Sequence, residues 1–160
     1  MNEFSFSPYF LTFFISMLPI AELRGGLPLG ISLGIPPLKA YLISIIGNAV
    51  PVLPVLVGLE YLQKIAKKSG FLSSIFDMLE RRVQGKKKII NRYGIGGVII
   101  LVAIPLPVTG AWTGSLISFL LSIPLKYSFP AIFTGICVAG VIVLFATIGV
   151  FGLGRVISGM

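Results

Sequence analysis

Uncharged, apolar stretches dominate the chain, and their lengths set the first expectations. From Ala40 to Leu59 there are 20 residues without a charge, and from Tyr127 to Gly154 there are 28. A hydrocarbon core of about 30 Å takes about 20 helical residues. Each stretch therefore predicts one transmembrane helix, the second of them tilted. Tyr93 to Leu125 is different. Its 33 uncharged residues would make a helix of about 50 Å, too long for one crossing and short for two. In its middle stands "IPLPVTGAWTG", with Pro105, Pro107, Gly110 and Gly114. Proline removes a helix donor, and glycine accepts dihedrals barred to other residues. The stretch predicts a re-entrant hairpin that enters the bilayer, turns at those breakers and leaves by the same side. Phe4 to Leu18, about 23 Å as helix, is likewise short of a crossing. It runs into "PIAELRGGLPLG", where Pro19, Gly25, Gly26 and Pro28 are the breakers.

The two halves share an order of features. "IPPLKAYLISIIGN" (35–48) matches "IPLKYSFPAIFTG" (123–135), with Pro-Leu-Lys at 37–39 and again at 124–126. At an offset of 88, Pro19 falls on Pro107 and Gly26 on Gly114, with one residue of slippage between the two matches. Each half reads as short apolar helix, break, short return, "PLK" and long span. One span per half reverses the orientation of the second copy. That is the inverted-topology repeat found in secondary transporters with broken helices. Resemblance by composition alone, among helices rich in small residues, is the competing explanation.

Composition agrees with the lengths. Of 160 residues 56% are hydrophobic and 11% charged, and the mean hydropathy is +1.01. Soluble domains carry about 25% charged residues, so the chain is expected to be an integral membrane protein. No basic region precedes the first apolar run, so no cleavable signal is expected. There is no histidine and a single cysteine. An internal disulfide is excluded, and zinc sites or histidine-based triads are excluded or nearly so. No cofactor or metal is expected.

The polar stretch 61–92 holds nine of the 13 basic residues against two acids. The positive-inside rule puts it in the cytoplasm. The N-terminus, the "IPPLK" corner and the C-terminus then lie outside, and the "IPLK" corner inside. Phe71, Ile75, Leu79 and Val83 recur every four residues, which predicts an amphipathic helix along the inner membrane surface. The same charges are accounted for if they only fix topology. Nucleic acid is not an expected partner of a loop tethered between spans. The expected organisation is one membrane domain, 1–160: a first repeat at 1–60, the basic connector at 61–92 and a second repeat at 93–160.

Candidate chemistry concentrates in the first break, which carries Glu22 and Arg24. Irregular backbone at membrane depth is tolerated only inside protein or along a water-filled cavity, and ionisable groups there are expensive and usually functional. The breakers are expected to form a loop tip where a charged site is hydrated. Arg24 stays protonated and can hold a phosphate or carboxylate by two parallel hydrogen bonds. Glu22 is the proton-titrating or cation-binding group. The plain alternative is a Glu–Arg pair that neutralises itself and pins the loop. The second break has no charge. Thr109, Trp112 and Thr113 are its polar side chains, able to hold a headgroup or to complete a pocket facing Arg24 if the repeats meet at mid-bilayer. Trp112 reads equally as an interfacial anchor. Asn48, mid-span, lines the path or bridges helices, and Pro51 and Pro54 are expected to kink that span. Glu60 reads as a boundary residue.

"LPIAELRGGLPLGI" together with "AIPLPVTGAWTG" resembles the small multidrug export protein family of prokaryotes, over nearly the whole chain. That family is remotely similar to the DedA/VTT superfamily. The second resemblance implies two facing re-entrant loops, acidic and arginine residues within the membrane, and movement of lipid carriers or phospholipids, tied in some members to proton motive force and drug tolerance. Glu22 and Arg24 match the charged part of the first motif, and Pro19, Gly25, Gly26 and Pro28 its loop-forming part. In the second motif Pro105, Pro107, Gly110, Trp112 and Gly114 match. No arginine stands in the second break, which counts against a symmetric two-arginine lipid site.

The expected fold is therefore all-α and membrane-embedded: two inverted repeats, each a re-entrant hairpin followed by a transmembrane helix. The expected function is transport or flipping of an amphipathic substrate, lipid-phosphate-like or drug-like, with Arg24 as anion contact and Glu22 as proton-linked acid. Export of hydrophobic cations, with Glu22 as counter-charge, is the nearest rival. A membrane scaffold acting through the basic connector is the rival of another class. One acid with an arginine two residues away specifies no reaction, so an enzyme is not expected. Expected partners are membrane lipids and the substrate. Gly-rich spans leave a homodimer admissible, with no interface fixed.

Overall fold

The computed structural model describes residues 7–66, 94–105 and 109–158. Among them are seven helices and no strand. They are α1 (Pro8–Met17), α2 (Glu22–Ser32), α3 (Pro37–Ala49), α4 (Val52–Ala66), α5 (Ile95–Ala103), α6 (Ala111–Leu120) and α7 (Leu125–Ser158). Pro37–Tyr61 and Leu125–Val150 are long and apolar enough to cross a membrane, which fits the two spans expected at 40–59 and 127–154. Most of the connector, including its amphipathic face from Phe71 to Val83, lies outside the described residues, as does Pro107.

Contacts divide the chain into two units, Met1–Val50 with Ile136–Met160, and Pro51–Gly135. In the first unit α1, α2 and α3 pack on one another, and small residues let them approach. A Cβ on Gly26 would overlap the Ser16 hydroxyl, and one on Gly47 would stand 2.6 Å from the Phe13 carbonyl oxygen. The seam is polar as well as small. Thr12 donates to the Pro8 carbonyl (2.8 Å) and Ser16 to the Thr12 carbonyl (2.7 Å). Both hydroxyls are thus satisfied within α1 and can be buried between helices. Further along the unit, the Tyr41 hydroxyl donates to the Cys137 carbonyl of α7 at 3.2 Å.

The outward faces are greasy. Leu38, Leu42, Ile46, Val50, Leu53 and Val57 are exposed at spacings of three and four, while Ala40, Ser44 and Asn48 are buried. A soluble helix does the opposite. A helix in lipid gains nothing by hiding apolar side chains and associates through small and polar ones. This pattern carries the membrane assignment.

In the second unit α6 packs on α4 and α5. Val102 of α5 fills the place where a Cβ on Gly114 or on Gly135 would fall, at 2.5 and 2.6 Å.

The helices α2 and α6 end alike. At the end of α2, Gly34 has φ +87°. Its N–H donates to the Ile31 carbonyl, and that of Ile35 to the Gly30 carbonyl, both at 3.0 Å. This is the paired hydrogen bonding of a left-handed helix cap. At the end of α6, Ser122 has φ +54°. It donates to Phe119 (2.9 Å), and Ile123 donates to Ser118 (3.0 Å). The same bonds recur 88 residues on.

The breaks are shorter than the sequence suggests. The expected loop over "PIAELRGGLPLG" narrows to Leu18–Ala21, because α2 already starts at Glu22. Gly25, Gly26 and Pro28 are helical, not loop-forming, and so is Gly114 in α6. The reason is packing. Helix propensity is a weak prior, and where a neighbouring helix needs backbone-to-backbone approach, glycine is favoured in the helix interior. Pro19, Pro105 and Gly110 do stand in the connections. Between α3 and α4 the helix is interrupted at Val50–Pro51, where the kink was expected.

Candidate functional site

Glu22 is the most constrained residue of the first break. One turn of chain, closed by its N–H donating to the Leu18 carbonyl at 2.9 Å, delivers it to the start of α2. There its φ is +49°, a left-handed conformation that costs a residue with a Cβ about 1–2 kcal/mol. It is nevertheless only 6% exposed. A carboxylate that is both buried and held in strained backbone is the kind of outlier that marks functional sites. The turn before it points outward: Ile20 is 97% exposed.

Arg24 follows in the first turn of α2. It is half-buried, its Nε is enclosed, and it lies within the field of the Glu22 carboxylate. The pair sets a cation and an anion side by side at one helix start. The positive end of a helix dipole favours the carboxylate and any further anion there.

Asn48 stands near the end of α3, 1% exposed, and neither atom of its amide has a hydrogen-bond partner. One turn earlier Ser44 is 0% exposed, with its hydroxyl in the same condition. Sequence reasoning named Asn48 but missed Ser44. The signal was there, in small or polar residues at 40, 44, 47 and 48 on a span whose other positions are large and apolar.

Glu22, Arg24 and Asn48 belong to the first unit; Thr109, Trp112 and Thr113 belong to the second. Thr109 donates to the Ile104 carbonyl at 3.0 Å, tying the end of α5 to the start of α6. Trp112 and Thr113 lie in the first turn of α6, half-buried. All three sit at or within one turn of the helix start, where the first backbone N–H groups lack helical partners.

A family model described as "Putative small multi-drug export protein" matches residues 22–142. The chain belongs to this family. The match begins at Glu22 and takes in Arg24, Asn48 and both helix-end turns. No curated protein and no solved structure matches the chain. The family is named for export and does not name an enzyme class, and the match agrees with the membrane assignment drawn from the exposed apolar faces.

Proposed function

We propose that this export-family protein is a multi-pass transporter that moves an amphipathic substrate, lipid-phosphate-like or drug-like, across the bilayer. Arg24 is the contact for the anionic headgroup, and Glu22 is the proton-linked acid. One observation carries the reading: a buried carboxylate in left-handed backbone opens a short helix, with an arginine in the same turn. An amphipath suits a site of this kind, because its tail can stay in lipid while only the head reaches the charged turn.

In this reading α1–α2 and α5–α6 are re-entrant hairpins, each followed by a span, and the connector 61–92 is cytoplasmic. The two hairpins are copies of one unit, inverted by the single span between them. The matching bonds at Gly34 and Ser122 support this, as does the pairing of Gly47 with Gly135, each pressed against the helix that opens its hairpin. Thr109, Trp112 and Thr113 are the second hairpin's uncharged resources for a headgroup.

The test is transbilayer movement of a fluorescent prenyl-phosphate lipid in liposomes holding the purified protein, with and without a pH gradient. Movement above that of protein-free liposomes is expected. If folded protein moves neither that lipid nor a hydrophobic cation, the transport reading fails.

A further inference from the structure

Two contacts of different kinds hold α3 within the first unit. Against α1 and α2 it is locked close to the backbone. A Cβ on Gly47 would stand 2.6 Å from the Phe13 carbonyl oxygen, and one on Gly30 3.3 Å from that of Ala40. Against α7 it leans on side chains. The Tyr41 ring lies 2.8 Å from the place where a Cβ on Gly140 would fall, with Ile45 at 3.5 Å. The Tyr41 hydroxyl donates to the Cys137 carbonyl at 3.2 Å, which is long for a bond of this type. The α7 side is the weaker of the two.

Ser44 and Asn48 lie between these contacts. At about 100° per residue, Tyr41 and Ile45 are turned about 130° around α3 from Ala40 and Gly47, and Ser44 and Asn48 fall in the sector between. They are neighbours one turn apart, 0% and 1% exposed, and neither the hydroxyl nor the amide has a hydrogen-bond partner in the protein. Native interiors rarely leave such groups, and at membrane depth no solvent stands by to complete them. Both groups are uncharged and offer donors as well as acceptors, so water is the partner that fits them. Water reaches this sector only if the contact beside it parts. The span has a place to bend for that. It is interrupted at Val50–Pro51, and Pro51 has no N–H to donate back to the Gly47 carbonyl.

We propose that α3 and α7 part in a second conformation of the first unit, with the Tyr41–Cys137 hydrogen bond as latch, and that Ser44 and Asn48 then line a water-filled cleft. The packing described above is the closed state, in which these two groups forgo their hydrogen bonds. The open state restores those bonds and loses the latch, which brings the two states close in energy. This goes beyond the transport reading by naming which helices separate, and it stands on packing alone.

The experiment is cysteine accessibility in the purified full-length protein in detergent. The background is Cys137→Ala, which keeps the backbone carbonyl. Ser44→Cys, Asn48→Cys and Ser16→Cys each place one cysteine there, after a check of helical content and monodisperse elution. A charged methanethiosulfonate, which attacks thiolates in water, is added and its rate followed by mass spectrometry. Ser44→Cys and Asn48→Cys are expected to react about tenfold faster or more than Ser16→Cys, which is equally buried but sits at the locked contact. Adding Tyr41→Phe, which removes the latch donor, is expected to speed Ser44→Cys about threefold or more. If Asn48→Cys does not fold, Ser44→Cys carries the test. Folded Ser44→Cys that reacts no faster than Ser16→Cys overturns the proposal, as does a rate that Tyr41→Phe leaves unchanged. Accessibility is read here without transport. Protein that shows this labelling and moves no lipid would sink the proposed function and leave the opening standing.

Discussion

Gly34 and Ser122 occupy the same place in two helix ends. Each is the left-handed residue after a short helix, α2 or α6, at φ +87° and +54°, and each is followed by an isoleucine whose N–H caps the helix. Glycine holds that conformation without penalty, whereas a residue with a Cβ gives up about 1 kcal/mol. Ser122→Gly is therefore expected to stabilise the protein by about 1 kcal/mol, and Gly34→Ala to destabilise it by a similar amount. Thermal unfolding in detergent measures both. A Ser122→Gly variant that melts lower than wild type would deny Ser122 its left-handed geometry.

Glu22 shares that left-handed conformation, at φ +49°. Glu22→Gly is expected to gain about 1 kcal/mol while losing the response of substrate movement to a pH gradient, whereas Glu22→Gln, which keeps the Cβ, should lose the same response and gain nothing. A residue whose removal makes the fold more stable and transport unresponsive to pH is held for function. Melting temperature and lipid movement, measured on the same preparations, decide it. Equal stability of the two variants would remove the strain argument.

The tight seam of the first unit makes its own forecast. A Cβ on Gly47 would meet the Phe13 carbonyl oxygen at 2.6 Å, while one on Gly58 of α4 would meet nothing within 4 Å. Gly47→Ala is expected to destabilise by about 1–3 kcal/mol through overpacking. Gly58→Ala should be neutral or stabilise by up to about 1 kcal/mol, by helix propensity. The two single-methyl changes are compared by denaturation side by side, and equal effects would contradict the close approach of α1 and α3.

Buried hydroxyls without partners predict the reverse of an ordinary core mutation. Ser44→Ala and Ser118→Ala are each expected to leave stability unchanged or raise it by about 1 kcal/mol, since an apolar group replaces an unsatisfied polar one. A loss above about 1 kcal/mol in either variant would mean that its hydroxyl makes a bond in the folded protein.

Much of this architecture was legible in the sequence, for identifiable reasons. Span lengths follow from bilayer thickness, so the stretches 40–59 and 127–154 were readable from charge spacing alone. Pro19 and Gly110 stand where the breaks are. The extent of each break was not readable. Gly25, Gly26 and Pro28 are breakers by propensity, but here they form helix, because α1 lies against Gly26 too closely for any side chain. Propensity is local, and that contact comes from residues 10 and 14 positions away. The strain at Glu22 was equally hidden, since nothing in its identity announces a positive φ. Ser44 is legible in the sequence only as one of the small or polar positions 40, 44, 47 and 48, and its unpartnered hydroxyl is visible in the structure alone.

The central claim assigns the anion to Arg24 and the proton-linked step to Glu22. Wild type, Glu22→Gln and Arg24→Ala, reconstituted together in liposomes with the fluorescent prenyl-phosphate lipid, test it most directly. The account expects Arg24→Ala to slow movement about tenfold or more, as losing a charged hydrogen-bond contact to the headgroup should, and Glu22→Gln to move lipid without response to a pH gradient. Wild-type movement and pH response retained in both variants would contradict it.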